Sequence, residues 1–181
     1  MRATFTDHPG GDIFASVADV LVCPVNCVPG VMGAGLALAF AKRFPDIKAL
    51  HRLVTRQGLL APGVVYMAGS IALFPTKRHW QDASNIADIQ AGLTSLAVDL
   101  PAKQWAARSI AIPALGCGLG GLRWADVRPL IVEALAALPL RVMLYPPHVV
   151  AHAVACGPHP MPAAGVSLPL PPPPASPFEV L

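Results

Sequence analysis

Residues 26–40 read Asn-Cys-Val-Pro-Gly-Val-Met-Gly-Ala-Gly-Leu-Ala-Leu-Ala-Phe. This stretch leaves an apolar run at residues 20–25 and passes through Gly30, Gly33 and Gly35 into a second apolar run that reads as a helix. A strand, a glycine loop and a helix in that order leave backbone N–H groups without partners, and such groups hold anions. The pattern occurs again where a buried strand at residues 109–112 precedes Gly116, Cys117, Gly118, Leu119, Gly120 and Gly121 and a further helix. Tight turns would account for one such glycine pair. Two pairs at equivalent strand ends suit the phosphates of one bound nucleotide diphosphate.

Outward from these junctions the chain alternates strands and helices. Strands are expected at residues 3–6, 20–25, 64–67, 71–74, 109–112 and 141–144, with helices at 33–43, 46–56, 85–100 and 125–138. Pro45 breaks the first helical run, Gly58 closes the second, and Pro139 stops the last. Ile86, Ile89, Leu93, Leu96 and Leu100 recur at three- and four-residue spacing, with Ser84 as the expected N-cap. Strands alternating with crossover helices predict an α/β fold, a mostly parallel mixed sheet between helical layers. Ligands of such sheets sit at the carboxyl ends of the strands, where both glycine loops fall.

Composition bounds the rest. With 181 residues, 54% apolar and 13% charged, there is room for one core, expected in a domain at residues 1–145. Eleven of the 21 prolines fall in residues 146–181, where Glu179 is the only charged residue, and that segment reads as a flexible tail. The N-terminus lacks the apolar core of a signal peptide and the domain lacks a spanning run, so a cytoplasmic protein with no membrane partner is expected. Cys23 and Cys27 have no answering His or Cys pair, and neither a metal nor a cofactor is expected. The formal charge of +3 is too small to establish a nucleic-acid partner. Lys42, Arg43, Lys48, Arg52 and Arg56 read first as a solvated helical face.

Chemistry concentrates in residues 74–80, Phe-Pro-Thr-Lys-Arg-His-Trp. Lys77 stands with Arg78, His79 and Trp80, a grouping of charge, a titrating ring and a stacking surface. A lysine beside other cations or out of water becomes a nucleophile or a proton donor. Asp12, in the Gly10-Gly11-Asp12-Ile13 turn, either caps that turn or accepts from an adenine amino group. Asn26 either satisfies its own loop or orients vicinal ribose hydroxyls.

Taken in order, Gly-Asp-Ile, Val-Asn, Gly-Val-Met-Gly-x-Gly-Leu-Ala, Phe-Pro-Thr-Lys-x-His-Trp and Ala-Leu-Gly-Cys-Gly-Leu-Gly-Gly-Leu-x-Trp resemble the macrodomain superfamily, and within it the DarG-type antitoxin macrodomains. The resemblance covers residues 1–145 and implies a three-layer α/β/α fold that binds ADP-ribose. It implies an ADP-ribosyl glycohydrolase acting on thymidine-linked ADP-ribose in single-stranded DNA, paired with a DNA-modifying ADP-ribosyltransferase toxin. Alternatives are hydrolysis of protein-linked ADP-ribose, or a non-catalytic ADP-ribose reader.

The resemblance places adenine at Asp12 and Ile13 and the distal ribose at Asn26. It puts the diphosphate on Gly30, Val31, Met32, Gly33, Gly35 and on the loop from Gly116 to Gly121, and makes Lys77 catalytic beside Thr76, His79 and Trp80. Two positions depart from the pattern. Gly120 stands where related protein deglycohydrolases carry Asp, which argues for the DNA-directed branch. Ala34 stands where many relatives carry Lys, which removes a cation from the first loop.

Overall fold

A computed structural model describes residues 2–101 and 107–147. Among these the elements are β1 (Thr4–Asp7), a 3₁₀ turn (Ile13–Ala15), β2 (Val20–Asn26), α1 (Gly35–Arg43), α2 (Pro45–Arg56), β3 (Tyr66–Ala68), β4 (Ile71–Lys77), α3 (Ile86–Asp99), β5 (Ser109–Pro113), α4 (Trp124–Leu135) and β6 (Arg141–Tyr145). The expected tail at residues 146–181 lies outside the described residues from position 148 onward.

The sheet order is β1-β6-β5-β2-β4-β3, parallel except for the antiparallel β3–β4 pair. Side chains of the central strands alternate between two cores, as a period of two requires. Val20, Val22, Ala72 and Phe74 pack with α3 and α4 residues such as Leu93, Leu96, Val127 and Ile131. Cys23, Val25, Ile71 and Leu73 pack on the opposite face with Phe40, Ile47 and Val54 of α1 and α2. The result is the three-layer α/β/α architecture, and every central strand is apolar because both its faces are covered.

Several boundaries moved, each for a local reason. The strand expected at residues 71–74 runs on to Lys77, with Pro75 inside it. β3 pairs only with Ile71–Leu73, so Pro75 lies beyond the end of that neighbour, where a missing N–H does least harm. Pro45 does not merely end a helix but starts α2 at its first position, where its fixed φ suits the helix. Asn85, not Ser84, caps α3, its Oδ1 accepting from the Ala87 N–H at 2.9 Å. The last helix ends at Leu135, well before Pro139, and tolerates Pro129 inside it.

After β2 the chain moves toward β4, whereas after β5 it moves toward β6. β2 pairs with β5 only over Val20 and Leu21. Two neighbouring strands whose continuations diverge, and which pair only at their amino ends, leave a crevice at their carboxyl ends. Both glycine loops open there.

Candidate active site

The first glycine loop is held by its own side chains and by α2. The Asn26 carboxamide donates from Nδ2 to the Val31 carbonyl at 2.8 Å and accepts at Oδ1 from the Val28 N–H at 2.9 Å. This is the loop-satisfying alternative for Asn26, with the second amide N–H and the second oxygen lone pair not engaged by those bonds. His51, fully buried in α2, adds two more ties. Its Nε2 donates to the Asn26 carbonyl at 2.8 Å, and its Nδ1 accepts from the Gly30 N–H at 3.2 Å. The Gly30 donor fixes the Nε2–H tautomer. Burial lowers the His51 pKa, partly opposed by the Asn26 carbonyl, which favours the protonated ring. Sequence reading missed His51, because a lone histidine on a helical face carries no pattern of its own.

Gly30 and Gly35 adopt φ +74° and +54°, which the turn into α1 requires; Gly33 does not lie in that region. Ala34, at the N-cap of α1, offers no capping side chain. The N–H groups of Gly35, Leu36 and Ala37 therefore find no acceptor among the described residues. They form an uncapped helix start at the carboxyl end of β2, the arrangement expected of an anion site.

At the second junction unpartnered donors sit both at the helix start and in the loop itself. The helix start behind it carries Asp126, paired with the N-cap Arg123 at 2.8 Å, so that end is already neutralised. Besides the Trp124 and Ala125 N–H groups at that helix start, Gly118, Leu119 and Gly120 offer successive donors without an acceptor among the described residues. Gly116 and Gly121 take positive φ and shape the turn. Gly118 does not, and a Cβ there would meet nothing within 4 Å. Gly120 is the opposite case, since a Cβ there would collide with Ser84 Oγ and the Gly116 carbonyl. The Asp of the protein-directed relatives has no room at this position.

The two loops meet through Lys77 and Leu119. Lys77 is the last residue of β4, opposite Asn26, and its Nζ donates to the Leu119 carbonyl at 2.5 Å. A Cβ on Gly35 would lie 3.9 Å from Leu119 Cδ1, so that side chain bridges the α1 start and the second loop. Thr76 is buried behind them, with Oγ1 donating to the Val25 carbonyl at 3.3 Å. The Arg78 guanidinium, expected from the sequence as a second cation beside Lys77, pairs with Asp88 of α3 at 3.0 Å, which offsets its charge. The His79 N–H donates to Asp82, and its ring lies 5.5 Å from the ring of Trp80, which is 52% exposed. The thiols of Cys27 and Cys117 are pushed up to about 11, chiefly by burial, so neither is a thiolate nucleophile at neutral pH.

Asp12 caps the 3₁₀ turn, accepting from the Phe14 N–H at 2.9 Å. Ile13 packs against Ala111 of β5 and Tyr145 of β6, which brings this turn to the β5–β6 side of the crevice. Beside it lies a cavity of ≈ 260 Å³ lined by His8, Asp12, Ser16, Met143 and Tyr145 among others, with the His8 and Tyr145 rings stacked at 5.2 Å. His8 and Tyr145 are further residues that sequence reading missed, since they follow strands β1 and end β6, far apart in the chain.

Fold and site together define a class of α/β domain, a sheet covered on both faces with two sets of unpartnered N–H donors across one switch point. The Macro domain family model matches residues 22–131, and the chain belongs to that family. It is 36% identical over 149 residues to the DNA ADP-ribosyl glycohydrolase of Mycobacterium tuberculosis, covering 77% of this chain and 42% of the relative. It is 35% identical over 160 residues to a DNA ADP-ribosyl transferase–DNA ADP-ribosyl glycohydrolase fusion protein of Thermosipho africanus, covering 76% and 40%. The macrodomain of Thermus aquaticus DarG superimposes with a TM-score of 0.73 at 34% identity, covering 80% of this chain and 99% of that one. The chain thus spans about two fifths of the length of these two curated relatives.

Proposed function

We propose that this domain is an ADP-ribosyl glycohydrolase that removes ADP-ribose from thymidine bases in single-stranded DNA. The observation that carries the reading is Lys77, a cation at the end of β4, bound to the very loop whose adjoining N–H groups are unpartnered. Along the carboxyl edge the parts fall in the order of the ligand. The Asp12 turn and its aromatic cavity flank β6 and take adenine, the two loops between β5 and β2 take the diphosphate, and Asn26 with Lys77 at β2 and β4 take the distal ribose. From β6 to β4 is three strand spacings, about 14 Å, which an extended ADP-ribose spans.

In this reading most of the catalysis is positioning and electrostatics. The loop N–H groups hold the diphosphate, and a bound ligand displaces the Leu119 carbonyl from Lys77. The ammonium then either protonates the base as its bond to the anomeric carbon breaks and water adds to that carbon, or, once neutral, attacks the anomeric carbon and displaces the base, water then releasing ADP-ribose from the lysine. The crowded Cβ position at Gly120 disfavours the protein-directed alternative, which would place a carboxylate there. By analogy with the fusion protein of Thermosipho africanus, a DNA ADP-ribosyltransferase toxin is the proposed partner.

The test is release of ADP-ribose from modified oligonucleotides, with modified protein as the comparison. Lys77→Ala is expected to lower release from DNA by roughly 10²-fold or more, with ADP-ribose binding retained. Full turnover in that variant, or release from protein alone, would overturn the reading.

A further inference from the structure

Between residues 20 and 81 the chain holds a single carboxylate, Asp46, against Lys42, Arg43, Lys48, Arg52, Arg56, Lys77 and Arg78. The fold sorts these cations. Arg78 is neutralised by Asp88, and Lys77 is bound to Leu119 in the site. On α2, Lys48, Arg52 and Arg56 are exposed and have no carboxylate partner among the described residues. Their spacing of four places them along one helical stripe, about 6 Å apart. The opposite face of α2 is buried through Ile47, His51 and Val54.

This stripe is fixed relative to the site. His51 ties α2 to the Asn26 carbonyl and the Gly30 N–H, and the next residue, Arg52, lies directly on the first loop. A Cβ on Gly30 would sit 2.9 Å from Arg52 Nε. A guanidinium thus stands at the rim of a loop that, from Asn26 to Gly35, carries no cation of its own.

We propose that the Lys48–Arg52–Arg56 stripe is the track for the sugar–phosphate backbone flanking the modified nucleotide, with Arg52 the contact nearest the site. The proposal rests on the DNA-directed reading above and deepens it. Phosphate contacts carry no sequence information but set register, and they make affinity depend on salt. An exposed stripe of cations bolted by a buried histidine to the catalytic loop holds the strand in one register over Lys77. A mobile charged tail would not.

The probe is an unmodified thymidine oligonucleotide, measured by fluorescence anisotropy over a salt series. The variant Lys48→Ala/Arg52→Ala/Arg56→Ala is compared with Arg2→Ala/Arg108→Ala/Arg141→Ala, which removes equal charge at the amino ends of the strands. The α2 variant is expected to bind roughly tenfold or more weakly at low salt, with the salt slope reduced by up to about 2. Its melting temperature should match wild type, and its affinity for free ADP-ribose should fall less than its affinity for the oligonucleotide. Equal losses in both triple variants would overturn the proposal, since net charge alone would then explain binding. Polyglutamate of matched length competing as well as the oligonucleotide would overturn the nucleic-acid assignment. An α2-dependent DNA affinity without release of ADP-ribose from modified DNA would sink the proposed reaction and leave the surface standing.

Discussion

Gly118 and Gly120 differ by two positions and predict opposite behaviour. Gly118 has ordinary φ and open space around a built Cβ, so Gly118→Glu should fold normally and act only on the ligand. Its side chain and charge would oppose a diphosphate on the neighbouring N–H groups, and ADP-ribose affinity should fall by about tenfold or more, near 1.4 kcal/mol. Calorimetry on the folded variant checks this, and unchanged affinity would remove the second loop from the site. Gly120→Asp should instead lose stability, because the new Cβ meets Ser84 Oγ and the Gly116 carbonyl. His51 adds a pH prediction. Its folded pKa lies below the ordinary 6.5, so the unfolded chain takes up a proton first as pH falls. Stability is therefore expected to decline as pH drops below about 6.5 toward the folded value, and chemical denaturation of His51→Asn should show a shallower slope. Asp7, held low by Arg128, and Asp19, held low by Ser109 and the Arg108 N–H, add their own losses only below 3.8.

At the scale of elements, closeness of α3 to β4 is the feature most open to test. A Cβ on Gly92 would lie 2.5 Å from Phe74 Cζ, and both residues are buried in the same core. The helix rests on the strand with no room for a methyl group, and β4 is the strand that ends in Lys77. Gly92→Ala gains helix propensity of about 1 kcal/mol but forces the helix off the sheet or the ring out of place, at about 1–3 kcal/mol. A net fall in melting temperature is expected, together with reduced turnover as Lys77 shifts. A variant as stable and active as wild type would show that the ring yields freely. The α2–loop tie belongs to this scale too. Replacing His51 by Leu leaves the Gly30 N–H and the Asn26 carbonyl without their partner, at about 1–3 kcal/mol for each group left unsatisfied.

Among the described residues of the molecule as a whole, the six strands and both cores on either side of the sheet lie within residues 3–145. A chain truncated after Pro147 is expected to keep its melting temperature within a few degrees and its affinity for ADP-ribose. A large loss in either would show that later residues complete the domain. Among the described residues no helix is long and apolar enough to cross a membrane. The charge of +3 says little as a total, but its distribution says more, with one carboxylate in the segment that builds α1, α2, β3 and β4.

What the amino-acid sequence determined by itself was the part that depends on local order. Apolar runs flanked by glycine and proline are covered strands and their turns, so the alternation of elements, the two glycine junctions and the placement of Lys77 beside them were legible. Periodicity also located α3 from Ile89, Leu93 and Leu96. Tertiary structure alone decided which groups face one another. It paired Arg78 with Asp88, added the N–H groups of Gly118, Leu119 and Gly120 to the second set of free donors, and set His51 under the first loop. It also opened β2 from β5 beyond Leu21 and so made the crevice. Hydrogen bonds and ion pairs are distances between residues remote in the chain, and a pattern of period two or 3.6 carries no record of them.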